Sequence, residues 1–194
     1  GGGHAVTQVE YIINPPLLAA FEAKQREFVE RYGAEGVRTI LSFHGTTNDA
    51  NIEEILKTNF DIARLAANTG NRGHYGAGIY FSEKANVSTG YARGHNKLLL
   101  CKLLTGREFR IGGSNPTPGG PAGGGLPLMG APLMAGYDSH VVNDGHEVVI
   151  FDAAHDEFAA LINILNSLIK DCNIHTVNHN FYCWLRCWFS ARFY

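Results

Sequence analysis

Apolar positions along this chain change period at Asn, Gly and Pro residues, and each change predicts an element. An extended stretch over residues 6–13 ends at Asn14, which can cap a helix whose first turn holds Pro15 and Pro16. Leu17, Leu18, Phe21, Phe28, Val29 and Tyr32 give that helix an apolar stripe, and Gly33 stops it. Residues 37–43 are β-branched and aromatic, and predict a strand running straight into His44-Gly45-Thr46-Thr47. Thr47 or Asn48 can cap a second helix carrying Ile52, Ile55 and Leu56 on one face. His44 is thereby placed where a strand gives way to a helix N-terminus.

Residues 64–75 are polar and rich in Gly and Asn, which predicts a loop lying over something else. Residues 78–81 read as a short strand. Residues 97–104 and 107–111 flank Thr105-Gly106 and read as two strands with a tight connection. Residues 147–151 predict another strand, and 156–170 a helix with Phe158, Leu161, Ile162, Leu165, Leu168 and Ile169 on its buried side. The segment 112–136 holds nine Gly and five of the seven Pro in 25 residues, with no charged residue, so it is expected to be a mobile loop that buries no core. There is no internal repeat. The order of helices and adjacent strand pairs predicts an α+β fold, not a doubly wound parallel sheet.

Composition narrows the function classes. At 194 residues and 45% hydrophobic, the chain can bury a single core. Sixteen Lys and Arg against eighteen Asp and Glu leave a net charge of -2, so no basic field is present to hold nucleic acid non-specifically. Four cysteines (Cys101, Cys172, Cys183, Cys187) are too few for a disulfide scaffold and suit a reducing compartment, cytoplasmic or nuclear. The N-terminal Gly1-Gly2-Gly3-His4 has neither a basic nor an apolar region of a signal peptide and reads as the cut end of a longer chain. No apolar run reaches the ~18 to 20 residues of a membrane span.

Several motifs occur in one order: Phe43-His44-Gly45-Thr46, Tyr75-Gly76-Ala77-Gly78-Ile79-Tyr80-Phe81-Ser82, Val87-Ser88-Thr89-Gly90-Tyr91 and Glu147-Val148-Val149-Ile150-Phe151-Asp152. Together with Val9-Glu10-Tyr11-Ile12-Ile13-Asn14-Pro15-Pro16-Leu17, Leu99-Leu100-Cys101-Lys102 and Tyr137-Asp138-Ser139-His140, they resemble the catalytic domain of the poly(ADP-ribose) polymerase-like ADP-ribosyltransferases. The resemblance covers residues 6–170 and implies that family's fold, a split antiparallel-rich sheet flanked by helices. It implies an enzyme that moves ADP-ribose from NAD to acceptor proteins and releases nicotinamide, with no required metal.

The family's His-Tyr-Glu signature falls on His44, Tyr80 and Glu147, implied to be the catalytic set. The resemblance also implies that His44, Gly45, Thr46, Tyr80, Ser88 and Tyr91 bind NAD: His44 through the adenosine ribose, Gly45 and Ser88 through the carboxamide, and the two tyrosines by sandwiching nicotinamide. These residue types suit those roles. Gly45 has no Cβ to block backbone approach, Ser88 offers donor and acceptor, and aromatic faces orient a flat ring. A carboxylate at Glu147 would stabilise positive charge developing on ribose, as carboxylates do in glycosidases. Glu at this position is associated with polymer formation, whereas Tyr137-Asp138-Ser139 and the entry segment look equally like the single-transfer branch, and Ala77 stands where family members commonly carry a basic residue, so both outcomes stay open.

Taken singly, these residues have plainer readings: His44 as a polar residue at a strand end, the tyrosines as packing, Glu147 as an edge residue. Joined in order they form one constellation. The alternative from another class is an inactive module that binds NAD, ADP-ribose or a protein. Beyond residue 170 the resemblance fades. In 171–194, Cys172, His175, His179, Cys183 and Cys187 recur at spacings of three or four among aromatic residues and could offer ligands to Zn²⁺ from one helix face. That spacing matches no familiar zinc module, and an aromatic tail packed on the domain or a partner is the simpler reading.

Overall fold

The computed structural model describes residues 4–64, 73–118, 128–166 and 189–193. Strand β1 (His4–Ile13) leads into helix α1 (Pro15–Tyr32), then β2 (Thr39–Gly45) and α2 (Asp49–Thr58). Asn14 caps α1 by accepting from the Leu17 N–H at 3.3 Å, and its amide donates to the Leu56 carbonyl at 2.8 Å. One residue therefore starts α1 and ties it to the end of α2. Asn48, the second of the two expected caps, starts α2 by accepting from the Asn51 N–H at 2.8 Å. Only part of the α1 stripe is buried: Phe21 and Phe28 pack with Leu104, while Leu18 and Val29 stay exposed.

Strand β3 (Ile79–Phe81) precedes helix α3 (Ala85–Ala92), β4 (Lys97–Leu104) and β5 (Glu108–Ile111). Strands β6 (Ser139–Val142), β7 (Glu147–Ile150), β8 (Asp156–Asn166) and β9 (Phe189–Phe193) complete the described strands. They form two sheets, ordered β2-β4-β8-β1-β9 and β3-β7-β6-β5. The pairs are mostly antiparallel, as the α+β expectation requires; β1–β9 and β5–β6 are parallel. A short bridge between Phe43 and Ser82, with N–H to carbonyl distances of 2.7 and 2.9 Å, joins the sheets at β2 and β3.

The main core lies between the sheets and α2. Ile40, Leu99, Cys101 and Leu103 of one sheet meet Ile79, Phe81, Val141, Val148 and Ile150 of the other, with Ile52 and Leu56 from α2. Strand alternation turns the next residues of the four-stranded sheet outward, and they carry the candidate chemistry.

Three expectations are corrected. Residues 156–166, expected within a helix, form β8, which pairs β4 on one side and β1 on the other. A central strand with ladders on both edges does not need polar-apolar alternation, so its near-continuous apolar run imitates a buried helix face; the open edges of β4 and β1 decide the matter. Residues 97–104 and 107–111 are both extended, but they do not pair. At Gly106 (φ 56°) the chain leaves the first sheet for the second, and a Cβ there would lie 2.6 Å from Asp138 and 2.7 Å from Phe28. Part of 112–136 also buries a core after all: Leu128, 3% exposed, packs with Phe109, Ile111 and Val142, and Ala131 and Met134 pack around them.

The tail residues Cys172, His175, His179, Cys183 and Cys187 lie outside the described residues, as does 167–170. The last described strand, β9, adds to the edge of β1. Among the described residues no helix is long and apolar enough to cross a membrane, and no group of three or more His, Cys, Asp or Glu is placed to hold a metal.

Candidate active site

The outward face of the four-stranded sheet carries a row of paired residues: Tyr80 on β3 opposite Val149 on β7, Val149 opposite His140 on β6, and His140 opposite Phe109 on β5. Glu147 lies two residues from Val149, so it shares this face and stands diagonally from Tyr80. The main-chain bridge at Phe43 and Ser82 brings the end of β2, with His44 and Gly45, against the same corner.

His44 is the hinge pin of that corner. Its Nδ1 lies 2.9 Å from the Tyr80 carbonyl; a carbonyl only accepts, so Nδ1 carries the proton. In the neutral ring Nε2 is then an acceptor. Phe60 and Phe81 pack edge-on and tilted against the imidazole, at 4.7 and 5.6 Å between centroids. Burial among these rings pulls its pKa down to about 4, outweighing the opposite pull of the Tyr80 carbonyl. His44 is therefore neutral at pH 7.

Tyr80 is held at both ends. Its hydroxyl donates to the Gly76 carbonyl at 2.9 Å and accepts from the Tyr75 N–H at 2.8 Å. Burial first, then nearby Glu147, pushes its pKa well above the usual phenol value. Helix α3 forms the facing wall. The Ser88 hydroxyl, on a residue 3% exposed, donates to the Phe43 carbonyl at 2.9 Å. A Cβ on Gly45 would fall inside the Ser88 carbonyl and 3.1 Å from the Ala92 nitrogen. The missing side chain at Gly45 therefore lets α3 lie directly on β2, before any ligand is considered.

Tyr91, 55% exposed, donates its hydroxyl to Glu147 Oε1 at 2.7 Å. Partial burial and the carboxylate together push this phenol up to about 12, so it remains a donor. Glu147 itself is 8% exposed. Thr46 accepts from the Asn51 amide at 3.0 Å and links the end of β2 to α2.

His44, Tyr80, Ser88, Tyr91 and Glu147 are thus joined through three contacts: His44 with Tyr80, Ser88 with the residue before His44, and Tyr91 with Glu147. Two residues are given no role by the sequence reading. Tyr75 lies close enough to Glu147 for the carboxylate to raise its phenol, after burial, and its backbone anchors Tyr80. Phe60 shields His44. An aromatic directly before the glycine turn was the available signal for Tyr75; Phe60 had none beyond its place after α2.

Imidazole, phenols and carboxylate from three strands and one helix thus open onto one corner of a two-sheet α+β scaffold. The poly(ADP-ribose) polymerase catalytic domain family matches residues 3–116, more than half of the chain. The chain belongs to that family, whose members use NAD as co-substrate in ADP-ribosylation. The matched stretch reaches from β1 past β5 and so includes His44, Tyr80, Ser88 and Tyr91, while Glu147 lies beyond it. No curated protein matches the chain at a significant level.

Proposed function

We propose that this chain is an NAD-dependent ADP-ribosyltransferase that transfers ADP-ribose to protein side chains and releases nicotinamide. The observation that carries the reading is Glu147: a carboxylate 8% exposed, held by the Tyr91 hydroxyl, on the same sheet face as Tyr80. Burying a carboxylate costs free energy, and stabilising positive charge that develops beside it gives that burial a purpose.

In this reading His44 Nε2 accepts from a ribose hydroxyl. Its Nδ1 proton is committed to Tyr80, and the neutral state that acceptance requires is the one burial enforces. The Gly45 backbone and Ser88 hold the carboxamide. Because the Ser88 hydroxyl hydrogen points to the Phe43 carbonyl, its lone pairs are what remain for an amide N–H. Tyr80, with its hydroxyl fixed, and Tyr91, with its ring exposed, flank nicotinamide. Thr46 completes the set at the end of β2.

As the bond between nicotinamide and ribose breaks, its electrons leave with nicotinamide, and the ribose becomes oxocarbenium-like. Glu147 stabilises that charge, and the acceptor nucleophile attacks the opposite face. The partners are NAD and acceptor proteins, and cytosol or nucleus suits the sparse cysteines.

Incubation with biotinylated NAD, beside Glu147→Gln, tests the reading. Removal of the charge is expected to slow nicotinamide release by roughly 10²- to 10³-fold, by analogy with loss of one transition-state donor. A sharp labelled band lost in the variant means single transfer, and a smear means polymer. Unchanged turnover in a folded Glu147→Gln protein defeats the mechanism. Binding of an NAD analogue without nicotinamide release would make the chain a binding module.

A further inference from the structure

His140 is 0% exposed and takes no part in the transfer steps. Both its ring nitrogens are engaged by backbone from segments distant from each other. Nδ1 lies 2.6 Å from the Tyr75 carbonyl and so donates to it. Nε2, left without a proton, accepts from the Met134 N–H at 3.0 Å. The ring is wedged against Phe151 at 4.7 Å and Phe109 at 5.4 Å. The two segments also meet directly, Ala77 N–H to the Ala131 carbonyl at 2.8 Å and Gly130 N–H to the Gly73 carbonyl at 2.9 Å.

What Tyr75 holds makes this arrangement more than packing. Its N–H donates to the Tyr80 hydroxyl, and the next carbonyl, that of Gly76, receives the Tyr80 proton. An unbroken series of contacts thus runs from Met134 through the His140 ring and the Tyr75 peptides to the Tyr80 phenol. We propose that His140 is a positioning residue for the NAD pocket, clamping residues 73–78 to residues 128–134 so that Tyr80 presents its ring in one orientation. The inference rests on the transferase reading for its kinetic consequence, and on geometry alone for the clamp. It also gives the uncharged Gly/Pro insertion a structural role, because the C-terminal end of that insertion is the far jaw of the clamp. A neutral ring with Nδ1 protonated is the only form that makes both bonds, and burial, by lowering the imidazole pKa, favours that neutral ring.

The test compares wild type with His140→Val, which removes both bonds, and His140→Asn, whose amide nitrogen can stand where Nδ1 stands. Amide hydrogen exchange at Tyr75 and Met134 reads the clamp without any ligand. In His140→Val both amides are expected to exchange about tenfold faster; in His140→Asn only Met134 is. Nicotinamide release is then followed against NAD concentration. His140→Val is expected to raise KM about threefold or more with little change in kcat, and His140→Asn, which keeps the Tyr75 bond and loses the Met134 one, to restore it in part.

Faster exchange at Met134 with unchanged exchange at Tyr75 in His140→Val overturns the proposal, as does an unchanged KM. A fall in kcat that His140→Asn does not rescue overturns it too. If wild type neither binds nor cleaves NAD, the transferase reading fails, and the exchange pattern still decides whether the clamp exists. Should His140→Val not fold, His140→Leu, which also removes both bonds, is read in its place against the same outcomes.

Discussion

The two walls of the candidate pocket are built by different means. The wall made by residues 73–78 and β3 is fastened by hydrogen bonds to imidazoles and main chain: His44 to the Tyr80 carbonyl, His140 to the Tyr75 carbonyl, and the Tyr80 phenol to Tyr75 and Gly76. The wall made by α3 is seated by contact, backbone against Gly45, with one hydroxyl to Phe43 and one phenol to Glu147. The first depends on the protonation state of two imidazoles; the second depends chiefly on the absence of a methyl group at Gly45. One pocket can therefore be loosened on either side separately.

Acid attacks the first wall, and the largest effect is expected there. The His44 pKa is about 4 in the fold against an ordinary 6.5, so the unfolded chain binds the proton more readily. A lowered histidine leaves stability intact above pH 6.5 and loses it as pH falls toward 4; His44 is half-buried and keeps part of its surface in solvent, so the loss is at most roughly 3 kcal/mol. His140 shifts in the same direction, also by burial, and adds to the loss. Urea unfolding of wild type at several pH values between about 7 and 4 measures this. In His44→Asn, which keeps a donor for Tyr80, the pH dependence should be visibly flatter. Equal slopes for the two proteins would mean that His44 is not what burial makes it. The contacts seating α3 on β2 contain no titrating group and should not follow this curve.

Gly45→Ala attacks the second wall. The added methyl has no room against the Ser88 carbonyl, so α3 must shift or the strand end must bend, at a cost of about 2 kcal/mol. Amide exchange should quicken along 85–92 while Tyr75, whose N–H goes to Tyr80, keeps its protection. Faster exchange at both places would show the walls to be one mechanical unit and dissolve the contrast between them.

Only part of either wall could be read from sequence. The β2–α2 junction rests on local signals, an Asn cap and a glycine after the strand, and those were legible; the eight-residue helix α3, which has no side-chain cap, was not expected, although Ser88 and Tyr91 on that wall were named through the resemblance. The fastening of the other wall was not legible. His140 meets Tyr75 across 65 positions and Met134 across only 6, and nothing in the residue or its neighbours distinguishes a histidine with both nitrogens occupied from any buried one. β8 escaped for a related reason. Its assignment depends on the open edges of β4 and β1, which come together only once the sheet is assembled, whereas its own apolar run fits a buried helix as well.

The smallest effect separates the two phenols. Tyr80→Phe leaves the Tyr75 N–H and the Gly76 carbonyl without their partner, in a place where Gly76 is buried and water has little access. A loss of about 1 to 2 kcal/mol is expected in urea unfolding. Tyr91→Phe removes the hydroxyl that donates to Glu147, but the ring is 55% exposed and water can replace that donor, so the expected loss is under about 1 kcal/mol. Because the two phenols fasten different walls, the double variant should lose close to the sum. A clear departure from the sum would show that Tyr91 and Tyr80 are coupled through Glu147, whose carboxylate raises both phenols, and that the walls meet energetically at the carboxylate. The reverse ranking, with Tyr91→Phe the costlier change, would make the phenol-to-carboxylate contact the principal fastening of α3 and reduce the Gly45 contact to a secondary one.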